Sequence, residues 1–198
     1  MMSHHIAEGD ICIVSPFPQF IVFLRFIVYN DGMSSEKKSI EFQVGEHIVY
    51  PLQGVGVVKR IEERTFNGTP TTYYVIYLNS SDMTVMVPVD KSKEIGVRPI
   101  VPPEEALAAI NSISEKFEQM PVDWKDRYRM NVELLKQGSI ASFAKVVQSL
   151  YHRSKVKELP VQERKLYDNA LNLLIDESSY ALKKDPSEIK KLIFSKLE

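Results

Sequence analysis

From Glu41 onward the apolar positions keep one period as far as Pro99 and another after it. In the first stretch they come in short runs: Phe42 and Val44, Ile48-Val49-Tyr50, Val55 and Val57, then Thr71–Leu78 (TTYYVIYL) and Thr84–Val87 (TVMV). Short runs rich in β-branched and aromatic residues, separated by turn residues, predict strands. Pro51–Gly56 (PLQGVG) and Asn79–Asp82 read as turns, and Pro88 closes the last run. Asn67-Gly68 is the clearest hairpin signal, because both residues tolerate the positive φ of a type I′ turn. Several short twisted strands in so small a span predict a small barrel or strongly bent sheet. Thr84–Val87, ended by a proline, is a candidate edge: either a short protected one or one open to a partner's strand.

After Ile100 the period becomes helical. Pro103-Glu104-Glu105 opens a helix with acids in its first turn, and Leu107, Ile110 and Ile113 predict its buried stripe. Met120-Pro121 breaks the chain, and Asp123 caps a second helix with Trp124 as its first residue. Gly138 ends that helix and Ser139 caps the next, Ile140–Glu158. There Phe143, Val146, Val147 and Leu150 face inward, and Lys145, Ser149, His152 and Arg153 face the other side. Val161–Leu182 carries Leu166, Ala170, Leu173 and Leu174 inward, and Asp185-Pro186-Ser187-Glu188 starts a last helix striped by Ile189, Leu192, Ile193 and Leu197. The expected class is α+β. A β domain at residues 40–100 is followed by a compact all-helical domain at 101–198.

Residues 1–39 stand apart as an atypical apolar extension and polar lead, expected to be poorly ordered. Ile11–Tyr29 is apolar but holds Pro16, Pro18 and Arg25, and its longest unbroken apolar piece is Phe20–Leu24. That is far short of the roughly 20 residues a spanning helix needs. Three readings stand open: an upstream extension outside the native protein, which would begin at Met33; a membrane-associating or packed segment; and a degenerate export signal, which lacks a basic lead and a clear cleavage site.

Charge sharpens the picture of the helical part. The whole chain has a formal net charge of -1, but Pro121–Lys165 holds 10 Lys+Arg against 5 Asp+Glu. A basic middle on a near-neutral whole suits local contact with a polyanion, weak alone and steeply salt-dependent. One cysteine excludes an internal disulfide framework. The four histidines make no metal-ligand spacing, Gly54-Val55-Gly56 lacks a following phosphate-binding helix, and the Glu-Glu pairs are adjacent in sequence. No catalytic residue, metal or cofactor is expected, and the protein is not expected to be an enzyme.

The only tryptophan, Trp124, sits beside Lys125, Arg127 and Arg129. A lone helical tryptophan is commonly core; flanked by cations, it also suits a wedge between base steps. Arg153–Lys157 and Arg164-Lys165 bracket a short connection at Leu159-Pro160 and so should lie close together. Cations at a helix C-terminus are expected for dipole reasons alone, which leaves a protein-interaction module open as an alternative.

In this order, FQVGEHIVYPLQGVGVVKRIEERTFNG (Phe42–Gly68), YYVIYL, MTVMVP (Met83–Pro88), EIGVRPI (Glu94–Ile100) and DWKDRYRMNVELLKQGS (Asp123–Ser139) resemble the bacterial CarD/CdnL transcription regulators. The resemblance spans residues 40–182. It implies a Tudor-like β domain that docks strand to strand on the RNA polymerase β subunit, matching Thr84, Val85, Met86 and Val87, with Arg64 at a basic interface position. Met86 stands where many members carry an arginine. It also implies a helical domain that meets promoter DNA in the minor groove at the upstream edge of the bubble and stabilises the open complex. Trp124 then matches the wedge, and Arg127, Arg129, Arg164 and Lys165 match basic positions; Lys125 and Arg153 complete the expected DNA-contacting set. Asp126 is a departure that Lys125 partly offsets. The implied protein is a cytoplasmic, nucleoid-associated monomer without stable membrane association. The competing reading is an adaptor for another transcription or repair factor, its helical domain structural only.

Overall fold

The computed structural model describes residues 13–14, 40–66, 69–115 and 121–198. Apart from Ile13–Val14, the expectations for residues 1–39 lie outside the described residues, as do the turn residues 67–68 and the break at Met120. The strands are β1 (Ile13–Val14), β2 (His47–Tyr50), β3 (Gly54–Phe66), β4 (Thr69–Leu78), β5 (Met83–Pro88) and β6 (Arg98–Pro99). They hydrogen-bond in the order β1-β5-β4-β3-β2-β6. β5 is antiparallel to both β1 and β4, as β4 is to β3 and β2 to β6. The helices are α1 (Ser92–Ile95), α2 (Pro103–Ser112), α3 (Trp124–Lys136), α4 (Ile140–Val156), α5 (Val161–Leu182) and α6 (Pro186–Leu197). The expected mixed class, a Tudor-like sheet followed by helices, is the one observed.

The described chain divides into two compact units. The first takes the residues up to His47 together with Gly56–Ile95; the second takes Ile48–Val55 and Gly96–Glu198. In the first unit β3 and β4 pair through to Phe66↔Thr69, the tight register that a two-residue connection demands. A register shift between Val58 and Arg60 bends the ladder. Gly56 sits where a Cβ would fall 2.7 Å from the Ile76 side chain, so only glycine lets the two strands close there. Val58, Tyr74, Ile76, Leu78 and Val87 are fully buried. Tyr74 is tolerated in that core because its hydroxyl accepts the Glu41 and Phe42 N–H groups at 2.9 and 3.2 Å.

In the second unit Ile48 and Val49 of β2 pair with Pro99 and Arg98 of β6. The helices start where the caps predict: Asp123 accepts from the N–H of Lys125 and Asp126, Ser139 from Ser142, and Asp185 from Ser187. α4 is the central helix, packed by α2, α3 and α5. That corrects two expectations. Ser149 does not face outward; it is 1 % exposed, because a helix surrounded on several sides has little outer face. Leu107 is 43 % exposed, and α2 instead buries Ala106, Ala109 and Ile110, whose small alanine side chains let it approach α4 closely.

Candidate nucleic-acid interface

The candidate surface is built at the first turn of α3. Asp123 accepts the Lys125 N–H at 2.9 Å and the Asp126 N–H at 3.3 Å, and this cap fixes Trp124 as the first helical residue. Trp124 is 40 % exposed, and Lys125 and Arg129 are exposed near it. Arg129, not Lys125, offsets Asp126: its Nη2 donates to Asp126 Oδ1 at 2.7 Å, one helical turn away. So exposed a pair adds little to stability, but it lowers the local field of Arg129 toward any phosphate.

Arg127 requires a correction. It is 2 % exposed and cannot reach a phosphate. Its Nε donates to Glu163 Oε1 at 2.7 Å and its Nη2 to Glu163 Oε2 at 2.9 Å, while Nη1 donates to the carbonyls of Pro121 and Val122 at 2.9 and 3.1 Å. The physical reason lies in helix phase. Arg127, Asn131 and Leu135, spaced four apart, form the buried stripe of α3, and Glu163 is the buried residue of the first turn of α5. A guanidinium enters such a stripe only with a bidentate carboxylate to meet it.

The Arg127–Glu163 fork brings the first turns of α3 and α5 together. Arg164 and Lys165 follow Glu163 directly and are exposed. Trp124 lines a cleft of about 410 Å³ with Val122, Arg127, Arg153, Lys157 and Pro160, and with the carboxylates of Asp123 and Glu158. An indole face and two cations from the end of α4, Arg153 and the C-cap Lys157, therefore share one concave surface, with Val122 as a further exposed apolar contact. Arg153 lies as helix spacing predicts, on the side of α4 that reaches this surface. Val122 carries no sequence signal of its own; only the loop bend ahead of the Asp123 cap brings it beside the ring. Lys155 is turned aside instead, its ammonium 4.7 Å from the centroid of the Tyr151 ring, and the hydrogen bond to Tyr151 raises its pKa above the ordinary lysine value.

The second candidate surface lies on the sheet of the first unit. Val85 and Val87 turn their side chains into the core, so their expected contribution to a partner reduces to backbone groups; Thr84 and Met86 are half-buried. β4 pairs with one side of β5, and Ile13–Val14 pairs with the other, in the register Ile13↔Val85 and Val14↔Thr84. The chain's own segment thus occupies part of the candidate edge. Arg64 is exposed near the end of β3 and donates to Glu62, which also accepts from Arg60. These hydrogen bonds, that from Arg60 first, hold the Glu62 carboxyl below its ordinary value. The family resemblance singles out Arg64 alone, but two arginines around one carboxylate give the strand face its net positive charge. Among the described residues no group of three His, Cys, Asp or Glu could hold a metal ion, and no helix is long and apolar enough to cross a membrane.

Comparison with known proteins gives an ordered match. Residues 42–101 match the family profile described as the CarD-like/TRCF RID domain, and residues 108–194 match the CarD C-terminal domain. The YdeB protein of Bacillus subtilis (strain 168), whose name assigns it to transcription factors, is 38 % identical over 140 residues, covering 69 % of this chain and 89 % of that protein.

Proposed function

Because the chain belongs to the CarD/CdnL family of transcription factors, its role lies in transcription regulation, and we propose that it docks on the RNA polymerase β subunit and stabilises the promoter open complex through minor-groove contact at the upstream fork. The observation that carries this reading is the half-exposed Trp124 ring, set by a helix cap beside the cleft cations Arg153 and Lys157. A tryptophan sealed in the bundle would have argued for an adaptor with a purely structural helical domain.

The mechanism involves no bond chemistry. Docking through Arg64 and the backbone of Thr84–Val87 raises the effective concentration of a weakly basic helical domain at the fork. Thr84 and Val85 are paired with Val14 and Ile13 in this structure, so strand-to-strand docking there requires that segment to leave. Lys125, Arg129, Arg153, Arg164 and Lys165 then meet backbone phosphates, which position the domain without reading sequence. The Trp124 ring props an unstacked base step, and the melted strands close more slowly. Contact of this kind tolerates many sequences, as suits a factor acting on many promoters. The reading has the protein act as a monomer, in the cytoplasm at the nucleoid.

The test is the lifetime of the open complex formed by the host's own polymerase. An aromatic–base stack is worth about 1–3 kcal/mol, so Trp124→Ala is expected to shorten that lifetime roughly 5- to 160-fold while leaving binding to the β subunit unchanged. An unchanged lifetime, or a variant that no longer folds, overturns the assignment of Trp124.

A further inference from the structure

The Trp124 ring is too exposed for burial to fix its direction, yet one buried group reaches the backbone directly ahead of it. Arg127 and Glu163 have side-chain exposures of 3 % and 0 %. Beyond the fork to Glu163, the remaining terminal nitrogen of Arg127 holds the carbonyls of Pro121 and Val122, the two residues before the Asp123 cap. Glu163 in turn ties this loop to the first turn of α5, where Arg164 and Lys165 follow it. A buried ion pair is a poor choice for stability alone, since well-packed apolar residues of similar volume commonly serve as well. What apolar residues cannot do is hold two carbonyl groups and a second helix in a set direction.

We propose that Arg127 and Glu163 are positioning residues: together they set the pose of Trp124 and its separation from Arg164-Lys165, so that ring and cations meet parted DNA as one rigid surface. This rests on the reading that Trp124 contacts DNA. A contact surface works only when its supporting side chains are themselves locked, and a fork with four hydrogen bonds is such a lock.

The chain contains a single tryptophan, so its fluorescence reports on this pose without labelling. The test uses the full chain and a forked DNA duplex with an A·T-rich junction at low salt. Two variants are compared with the native protein: Arg127→Lys, which keeps the charge but not the fork, and Arg127→Met with Glu163→Leu, which keeps the packing but drops every bond to the loop. Urea unfolding followed by circular dichroism establishes that each is folded, and Arg127→Lys carries the test if the double variant is not. The expected results are freer Trp124 motion in time-resolved anisotropy and an affinity for the fork lower by about tenfold, within what removing an aromatic–base stack costs. Repeated in a Trp124→Ala background, the same exchange is expected to change affinity less than about twofold, because contributions routed through one side chain do not add. Unchanged anisotropy and affinity, or an equal loss with and without Trp124, overturn the positioning role. If the native protein and Trp124→Ala bind the fork alike, the DNA-contact reading itself fails, and the positioning role with it.

Discussion

Replacing Asp176 by asparagine isolates one half-buried charge in the second unit. Asp176 Oδ2 accepts the Val55 N–H at 2.8 Å, and Gly54, with φ +88°, lies so close that a Cβ there would fall 2.7 Å from the same oxygen. Burial, with the neighbouring Glu177 charge adding to it, raises the Asp176 carboxyl above the ordinary value of 3.8, and the Val55 hydrogen bond recovers only part of the shift. A raised folded-state value means that the folded chain keeps a proton which the unfolded chain has already shed. Stability from this group is therefore fully present below the unfolded value and falls as pH rises from there through the raised folded value. The loss is at most about 1.4 kcal/mol per pH unit crossed. Asparagine keeps an acceptor for Val55 and has no charge to desolvate. Urea unfolding of both proteins, followed by circular dichroism from about pH 4 to pH 7, gives the difference directly, with all other titrating groups cancelling. The variant's relative stability is expected to climb with pH and then level off. Parallel curves would refute the claim that burial dominates this carboxylate.

Four other perturbations test the remaining charges and the sheet edge. Arg98 donates to both carboxylate oxygens of Glu177 and to the Gly138 carbonyl, and Glu177 is 1 % exposed. Arg98→Met leaves that carboxylate buried without its cation and is expected to cost about 3–5 kcal/mol in urea unfolding; a loss under about 1 kcal/mol would refute the pairing argument. Arg164→Ala with Lys165→Ala is expected to lower the slope of log affinity against log salt by about 2, roughly 0.9 for each duplex phosphate no longer neutralised; an unchanged slope makes them bystanders. A chain starting at Met33 lacks the residues paired with Thr84 and Val85, and is expected to bind a polymerase β-subunit fragment more tightly in calorimetry than the full chain does. Arg64→Glu is expected to weaken both; equal affinities for the long and short chains would show that Ile13–Val14 does not compete for the edge.

Much of the architecture was legible because its causes are local. The helix starts at Asp123, Ser139 and Asp185 depend on a side chain and an N–H two or three residues away. The strand runs depend on alternation, and the short connection between β3 and β4 leaves those two strands to pair with each other. The candidate site was legible only in part. Exposed Trp124, Arg164 and Lys165 and half-buried Arg153 could be named from residue type and helix spacing, and the family resemblance gave those residues a shared partner. Arg127 could not be told from its neighbours Lys125 and Arg129, since three cations in alternation look alike until one of them meets a carboxylate.

The sequence by itself therefore determined the main strands and the longer helices, where the capped helices begin, and to which family the chain belongs, while the short α1 (Ser92–Ile95) and β6 (Arg98–Pro99) carry no period to read. Tertiary structure alone decided what each polar side chain is for. Glu163 stands 36 residues from the guanidinium it neutralises, Glu177 stands 79 from Arg98, and Asp176 stands 121 from the Val55 N–H it accepts. No local period relates residues that far apart. Whether a cation faces solvent or a buried carboxylate depends on which helix faces pack together, and so does the exchange of Leu107 for Ala106 and Ala109 on the inner face of α2.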